Sequence, residues 1–435
     1  MQNNIPQQPL TRLNIFSLKG IQMKTFHITW LTFFFCFFAW FGIAPLMPLV
    51  SEQLHLTKAQ KGNIGIASVS ATIIARLLVG RLCDKFGPRR TYTVLLLICA
   101  IPVMLIGLSN SYTSFLLCRL AIGVIGASFV LTQFHTSVMF APNVKGTANA
   151  VAGGWGNTGG GATQILMPLI AAGMVGLGWV TKADSWRYAM IVPGIFLLLM
   201  AFLYFKYTKD TPQGNFDDTL RSSSGKKENT FLLAAIDYRT WVLTIAYAAC
   251  FGVEITVDNY AASFFHDDYK ATLIMAGLLA SIFGWLNIFA RAAGGIVSDK
   301  VGKRFGFNGK VGLLTILLLL EGIGIILFAK SGGLGMAIFM MFFFGLCLKM
   351  ANGATYSIVP FINQKAVGSV AGIVGAGGNV GAMLIGFLFK SVAYEQAFFY
   401  LGWGVLGVGI VVLIVRLATK TSGSKETEVK QVLAV

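Results

Sequence analysis

Twelve stretches of about 20 consecutive apolar residues follow one another along almost the whole chain, and that length is what a helix needs to cross a bilayer core. They fall near 27–50, 62–83, 91–109, 112–140, 146–174, 186–207, 240–265, 271–298, 309–329, 333–359, 364–391 and 396–417. Hydrocarbon offers no water to satisfy backbone polar groups, so each stretch must bond its own backbone as a helix. Of 435 residues, 55% are hydrophobic and 12% charged, against about 25% charged in soluble proteins, which excludes a soluble globular enzyme. The expected fold is an all-α integral membrane protein with 12 transmembrane helices.

The only long polar segment, Lys206 to Arg239, divides the spans six and six. This predicts a tail over 1–26, an N-terminal six-helix bundle over 27–207, a linker over 208–239, a C-terminal six-helix bundle over 240–417 and a second tail over 418–435. With both termini and the linker in the cytoplasm, twenty-three Lys and Arg lie in cytoplasmic segments and seven in the opposite loops, with four inside spans. That asymmetry obeys the positive-inside rule. The net charge of +17 therefore records orientation, and a nucleic-acid partner is discarded in favour of the lipid bilayer.

Cys36, Cys83, Cys99, Cys118, Cys250 and Cys347 lie in or beside apolar stretches without a CxxC pair, as small core residues do. No metal or cofactor is expected. The first apolar stretch is too long for a signal peptide and lacks a small-residue cleavage site, so it is taken as the first span.

Two internal repeats relate the halves. Gly80-Arg81-Leu82-Cys83-Asp84-Lys85-Phe86-Gly87-Pro88-Arg89 recurs as Gly295-Ile296-Val297-Ser298-Asp299-Lys300-Val301-Gly302-Lys303-Arg304, and Arg76 maps onto Arg291 at the same displacement. Gly153, Gly156, Asn157 and Gly159 recur as Gly375, Gly378, Asn379 and Gly381. The pairs occupy the second and eighth, then the fifth and eleventh spans, which describes a 6+6 pseudo-symmetric transporter built from repeats.

A charge at the bilayer centre costs about 2.5–3.5 kcal/mol on insertion scales, so it faces a cavity or a partner. Arg76 and Arg291 sit just over one turn deeper than the glycines of their cytoplasmic motifs, and symmetry sends both toward the axis between the halves. A carboxylate in the same half is the alternative for each, although the first six spans carry no mid-membrane acid. Two guanidiniums without matching acids suit an anion, and a planar fork suits a small planar oxyanion. Gly156 and Gly378 permit close approach of helices or of a small ligand, and Asn157 and Asn379 can donate amide hydrogens to an oxyanion. Tight helix packing would explain the glycines but not the paired asparagines.

Tyr247, Phe251, Glu254 and Asp258 are spaced 4, 3 and 4, which aligns them on one face of the seventh span. Tyr247 offers a hydroxyl, and Phe251, Phe41 and Phe129 are candidate apolar walls, with ordinary core or lipid contacts the alternative among 35 Phe. Glu254 and Asp258 are candidates for a coupling proton, for offsetting the arginines, or for binding a neighbouring helix. Asp84, Lys85, Arg89, Arg90, Asp299, Lys300 and Arg304 are candidates for a cytoplasmic gate. Arg119, His135, Glu321 and Lys349 are polar residues in spans to which no role is assigned.

These motifs resemble known ones. Gly80-x-x-x-Asp84-Lys85-x-Gly87-x-Arg89-Arg90 is similar to the loop motif of the major facilitator superfamily, and Arg119-x-x-x-Gly123 to its fourth-span motif. Ala152-Gly153-Gly154-Trp155-Gly156-Asn157-Thr158-Gly159-Gly160-Gly161 and Gly375-Ala376-Gly377-Gly378-Asn379-Val380-Gly381 resemble the two nitrate signatures of the nitrate/nitrite porter family. The segments 253–259, 289–295 and 352–360 are similar to the high-affinity nitrate transporters of plants and algae. The resemblance covers nearly all of residues 30 to 415. It implies a secondary active importer of nitrate, and of nitrite with it, in the plasma membrane, in which Arg76 and Arg291 hold the anion, Tyr247, Asn157 and Asn379 surround it, and the halves rock to alternate access. Plant-type members are driven by protons, whereas other branches exchange nitrate for nitrite. The extended C-terminal region of plant members has no counterpart here, which leaves an accessory subunit unassigned. A porter of another small anion and a nitrate receptor are the competing functions.

Overall fold

In the computed structural model, residues 8–215, 230–363 and 366–420 are described, the side chains of residues 77, 84, 142, 143, 230, 367, 368 and 416–420 excepted. The terminal segments 1–7 and 421–435 and the linker segment 216–229 lie outside the described residues, as does the side chain of Asp84. Among the described residues, eleven helices are long and apolar enough to cross a membrane: Gly20–Gln53, Lys58–Cys83, Pro88–Leu108, Tyr112–Met139, Val144–Gly176, Ser185–Tyr207, Tyr238–Asp267, Leu273–Ala329, Leu334–Phe361, Ser369–Ser391 and Tyr394–Val415. Leu273–Ala329 has 57 residues, and at about 1.5 Å per residue that is more than twice the bilayer core. It reverses at Gly306, whose φ of 67° and ψ of −164° are non-helical. Glycine is the residue that takes this backbone without a Cβ penalty. The helix thus makes two crossings, the eighth and ninth, and the chain has its twelve. No strand occurs among the described residues, only isolated bridges such as Leu10 with Phe140.

Local chemistry sets the ends of the spans. The second starts on a capping box in which the Thr57 hydroxyl accepts from the Gln60 backbone N–H while Gln60 reaches back to the Thr57 N–H, satisfying two donors that a helix start leaves orphaned. It stops at Gly87, at φ 81°, and Pro88 opens the third span, the favoured order of a glycine past one helix and a proline just inside the next. The loop motif that recurs in the second half is therefore also a tight reversal. Inside the fourth span, Gly123–Ala127 winds as a 3₁₀ helix.

The described residues pack as two units: one of residues 8–215 with Asp258–Trp285, the other of residues 230–257 with everything from Leu286 onward. In the first, the fifth span and the start of the eighth meet backbone to backbone. A Cβ on Gly284 would fall 2.3 Å from the Gly161 Cα, and one on Gly277 2.1 Å from the Gln164 carbonyl oxygen. At the ends of the first, third and sixth spans of this unit, Gln53 donates to Asp184 at 2.8 Å and accepts from the Trp186 indole at 2.7 Å, while the Arg187 guanidinium reaches the Gly107 and Ser109 carbonyls. The hydrogen bonds from Gln53 and Thr181 hold the Asp184 carboxyl below the usual carboxylate range. In the second unit, Gly294 lies against Met350, and Gly353 against the Arg291 carbonyl, so the eighth and tenth spans also touch through small residues.

Candidate anion-binding site

Arg76, in the second span, is buried. Its Nε donates to the Gly126 carbonyl at 3.3 Å, and its guanidinium carbon lies 5.3 Å from the centroid of the Phe129 ring. The carbonyl is available because the fourth span tightens to 3₁₀ geometry beside it, where the Thr72 hydroxyl likewise donates to Gly123. Phe129 continues into an aromatic chain, with Phe33 at 5.9 Å, Phe37 at 4.8 Å from Phe33 and Phe41 at 5.6 Å from Phe37. Phe33 in turn seats on Gly156, where a Cβ would fall 2.1 Å from its ring. Asn157 follows and is buried. Among the residues expected in this half, Phe129 is placed on Arg76 itself, and Phe41 joins three rings further along.

Arg291, in the eighth span, is buried in the second unit. Its Nη2 donates to the Tyr247 hydroxyl at 2.8 Å, and its guanidinium carbon lies 5.7 Å from the Phe251 centroid. Nη1 is buried and has no hydrogen-bond partner among the described residues. The Tyr247 and Phe251 rings stack at 5.1 Å with 6° between their planes, and Tyr356 meets Tyr247 edge-on. Both stacked rings lie against Gly378, where a Cβ would fall 2.6 Å from Phe251 and 3.0 Å from Tyr247. Asn379 is fully buried, its Nδ2 donating to the Gly375 carbonyl while Oδ1 has no hydrogen-bond partner among the described residues. Each unit thus repeats one construction: a buried guanidinium against a ring, and a first-of-six-span aromatic seated on the glycine before a buried asparagine.

The acids separate. Glu254 pairs with Lys349 at 2.6 Å and accepts from the Asn287 and Asn352 amides at 3.0 and 2.7 Å, with both charged side chains fully buried. Asp258, one helical turn on, packs with the first unit, its carboxylate beside Gly160 and its carbonyl taking a hydrogen bond from Gln164. Lys349 and Tyr356 are functional candidates that the sequence reasoning left without a role. The signal for Lys349 was its position, because a lysine in a span demands an acid.

Two more of the polar span residues, Arg119 and His135, have structural partners. Arg119 donates to the Trp40 carbonyl at 2.8 Å and to Asn259 at 3.0 Å. His135 is buried between the Tyr204 hydroxyl and the Lys209 carbonyl. Of the gate candidates, Arg89 ties the third span to the sixth, its backbone N–H donating to Asp210 at 2.9 Å and its Nε to the Phe205 carbonyl at 2.7 Å. Asp299 pairs with Lys310 at 2.5 Å, across the reversal at Gly306. Lys85 and Arg304 lie over the rings of Phe86 and Phe305, and Arg90 and Lys300 are exposed.

A family model of the Major Facilitator Superfamily matches residues 29–360. The chain is 39% identical to a high affinity nitrate transporter 2.5 of Arabidopsis thaliana over 89% of its own length and 78% of that protein. This chain belongs to the nitrate/nitrite porter family of that superfamily. The transporter, which is not an enzyme, is also 39% identical to the nitrate transporter 2.1 of Chlamydomonas reinhardtii, over 83% of this chain and 67% of that one. With a nitrate/nitrite transporter of Picosynechococcus the identity is 28%, covering 83% of each. Among solved structures, a bacterial homologue of the human lysosomal transporter Spinster, inward-facing and unoccupied, superposes with a TM-score of 0.68 at 15% identity over 92% of this chain and 96% of that one. The nucleoside transporter NupG gives 0.66 at 13% identity, over 91% and 99%. These two likenesses are of fold.

Proposed function

We propose that this transporter imports nitrate, and nitrite with it, as a secondary active porter in the plasma membrane with both termini in the cytoplasm. The observation that carries this is the repeated construction around Arg76 and Arg291: one always-charged, forked guanidinium per half, buried against an aromatic face, with an aromatic ring of the same half seated on the glycine before a buried asparagine. A planar oxyanion accepts paired hydrogen bonds from such forks, the Tyr247 hydroxyl and the Asn157 and Asn379 amides add donors around it, and Phe41, Phe129 and Phe251 exclude water. The relatives named for nitrate transport support the choice of anion.

Transport proceeds by alternating access of the six-helix bundles 27–207 and 240–417. Opening to the outside parts the fifth span from the eighth at Gly161 and Gly284. Opening to the cytoplasm breaks contacts around the loop motifs that carry Asp84, Lys85, Arg89 and Arg90 and, in the other half, Asp299, Lys300 and Arg304. A proton enters with the anion, Glu254 and Asp258 of the seventh span being the candidates that the sequence offers to carry it.

A second mode, nitrate/nitrite exchange, is favoured by one observation, the ion pair of Glu254 with Lys349, which with the Asn287 and Asn352 amides already compensates that carboxylate in its charged form. Purified protein in liposomes separates the two. Nitrate accumulation that follows an imposed pH gradient supports symport, and accumulation that ignores pH but requires internal nitrite establishes exchange. Absence of nitrate flux under both conditions would refute the nitrate reading.

A further inference from the structure

Glu321 lies in the ninth span, fully buried, and neither carboxyl oxygen has a hydrogen-bond partner among the described residues. Its electrostatic neighbours are Glu254 on the seventh span and Lys349 on the tenth, with the thiols of Cys250 and Cys347 beside it on the same two helices. The twelfth span, packed against the adjoining Gly322, contributes Gly402 and Leu406 there, without a titratable group. Arg291 faces the cluster through Glu254. All these residues belong to the second unit.

An ionised carboxylate stripped of water and of donors is among the costliest things a protein can bury, whereas the neutral acid is tolerated. Glu254 does not face this problem, because Lys349, Asn287 and Asn352 all serve it. We infer that Glu321 is the residue that binds the coupling proton, and that it is protonated in the arrangement seen here.

The inference rests on the nitrate reading and deepens it by giving a reason for coupling. With Glu321 protonated, the positive charges of Arg291 and Lys349 exceed the single negative charge of Glu254, and the core of this unit attracts an anion to Arg291. When the anion leaves, the excess is removed by releasing the proton, provided that Lys349 turns to be shared between Glu254 and Glu321. Anion and proton then bind together because each neutralises the charge the other creates in a low-dielectric interior. By reciprocity, each raises the affinity for the other by the same factor.

The test is nitrate binding to the purified full chain in weakly buffered detergent solution, with proton uptake followed by an indicator dye. The wild type is expected to take up close to one proton per nitrate, and its apparent nitrate affinity to fall about tenfold per pH unit on the alkaline side. E321Q, fixed in the neutral form, should bind nitrate with no proton uptake and no pH slope. In liposomes it should exchange nitrate yet fail to accumulate it against a pH gradient. Proton uptake by E321Q matching the wild type overturns the assignment. So does nitrate binding by the wild type without proton uptake, which leaves the nitrate reading intact; a wild type that binds no nitrate overturns both. E321D covers the case of a glutamine variant that does not fold. It should keep proton uptake with a displaced pH midpoint, and an unchanged midpoint counts against Glu321.

Discussion

The Nη2 of Arg291 donates to the hydroxyl of Tyr247 at 2.8 Å, fixing the guanidinium from the seventh span while Nη1 stays without a partner among the described residues. Tyr247→Phe keeps the ring stacked on Phe251 and removes only this hydroxyl. A hydrogen bond to a charged group contributes about 1.5–3 kcal/mol, so nitrate affinity measured by calorimetry is expected to weaken about tenfold or more. The thermal midpoint of the purified protein should move little.

Arg76→Lys and Arg291→Lys each keep the charge and lose the planar fork. Nitrate uptake in proteoliposomes is expected to fall by about a hundredfold or more for either variant, because an ammonium cannot grip an oxyanion with parallel hydrogen bonds. Uptake near the wild-type rate in Arg76→Lys would sink the paired-guanidinium site.

Lys349→Ala leaves Glu254 as an uncompensated charge where no water reaches. Breaking a buried pair from one side costs about 3–5 kcal/mol, whereas replacing both partners by apolar groups is often neutral. The folded yield of Lys349→Ala should therefore collapse, and the double variant Lys349→Met with Glu254→Leu should recover it in size-exclusion chromatography. A double variant as unstable as the single one would contradict this account of the pair.

Gly284→Ala places a methyl where the Gly161 backbone lies, 2.3 Å from its Cα. Overpacking of this kind costs about 1–3 kcal/mol, and parting the fifth and eighth spans relieves it. Accessibility of cysteines introduced on the external side to an impermeant reagent is expected to rise. Unchanged labelling would mean that these helices do not part during transport.

Acid should loosen the cluster of Gln53, Asp184, Trp186 and Arg187 at the span ends. The Asp184 carboxyl titrates below its usual value because Gln53 and Thr181 donate to it. A depressed carboxylate adds stability that is fully present above the unfolded value, about pH 4, and is lost as pH falls through the folded value. Thermal midpoints followed from about pH 6 down to pH 3 should drop more steeply in the wild type than in Gln53→Ala, which has already forfeited part of that term.

Several features of the site were legible along the chain because they are patterns of spacing. Arg76 and Arg291 stand out as charges where charges are costly; one displacement relates them, and a second relates Gly156 to Gly378 and Asn157 to Asn379. The spacing of Tyr247, Phe251, Glu254 and Asp258 placed four residues on one face, and all four are buried. Spacing on one helix says nothing about which neighbour each residue meets. Asp258 therefore turned out beside Gly160 while Glu254, one turn earlier, found Lys349.

Hydrophobic length alone determined that this chain is a bundle of membrane-crossing helices, and the asymmetry of Lys and Arg determined the orientation we assign to it, because both follow from the cost of placing single residues in hydrocarbon. Pairing was decided only by tertiary structure. The seat of Phe33 on Gly156 and the hydrogen bond between Arg291 and Tyr247 each join residues from different helices, and packing of several helices leaves Glu321 without a hydrogen-bond partner among the described residues. A hydrogen bond or an ion pair depends on ångström-scale distance and angle, and those are set by how the helices pack against one another.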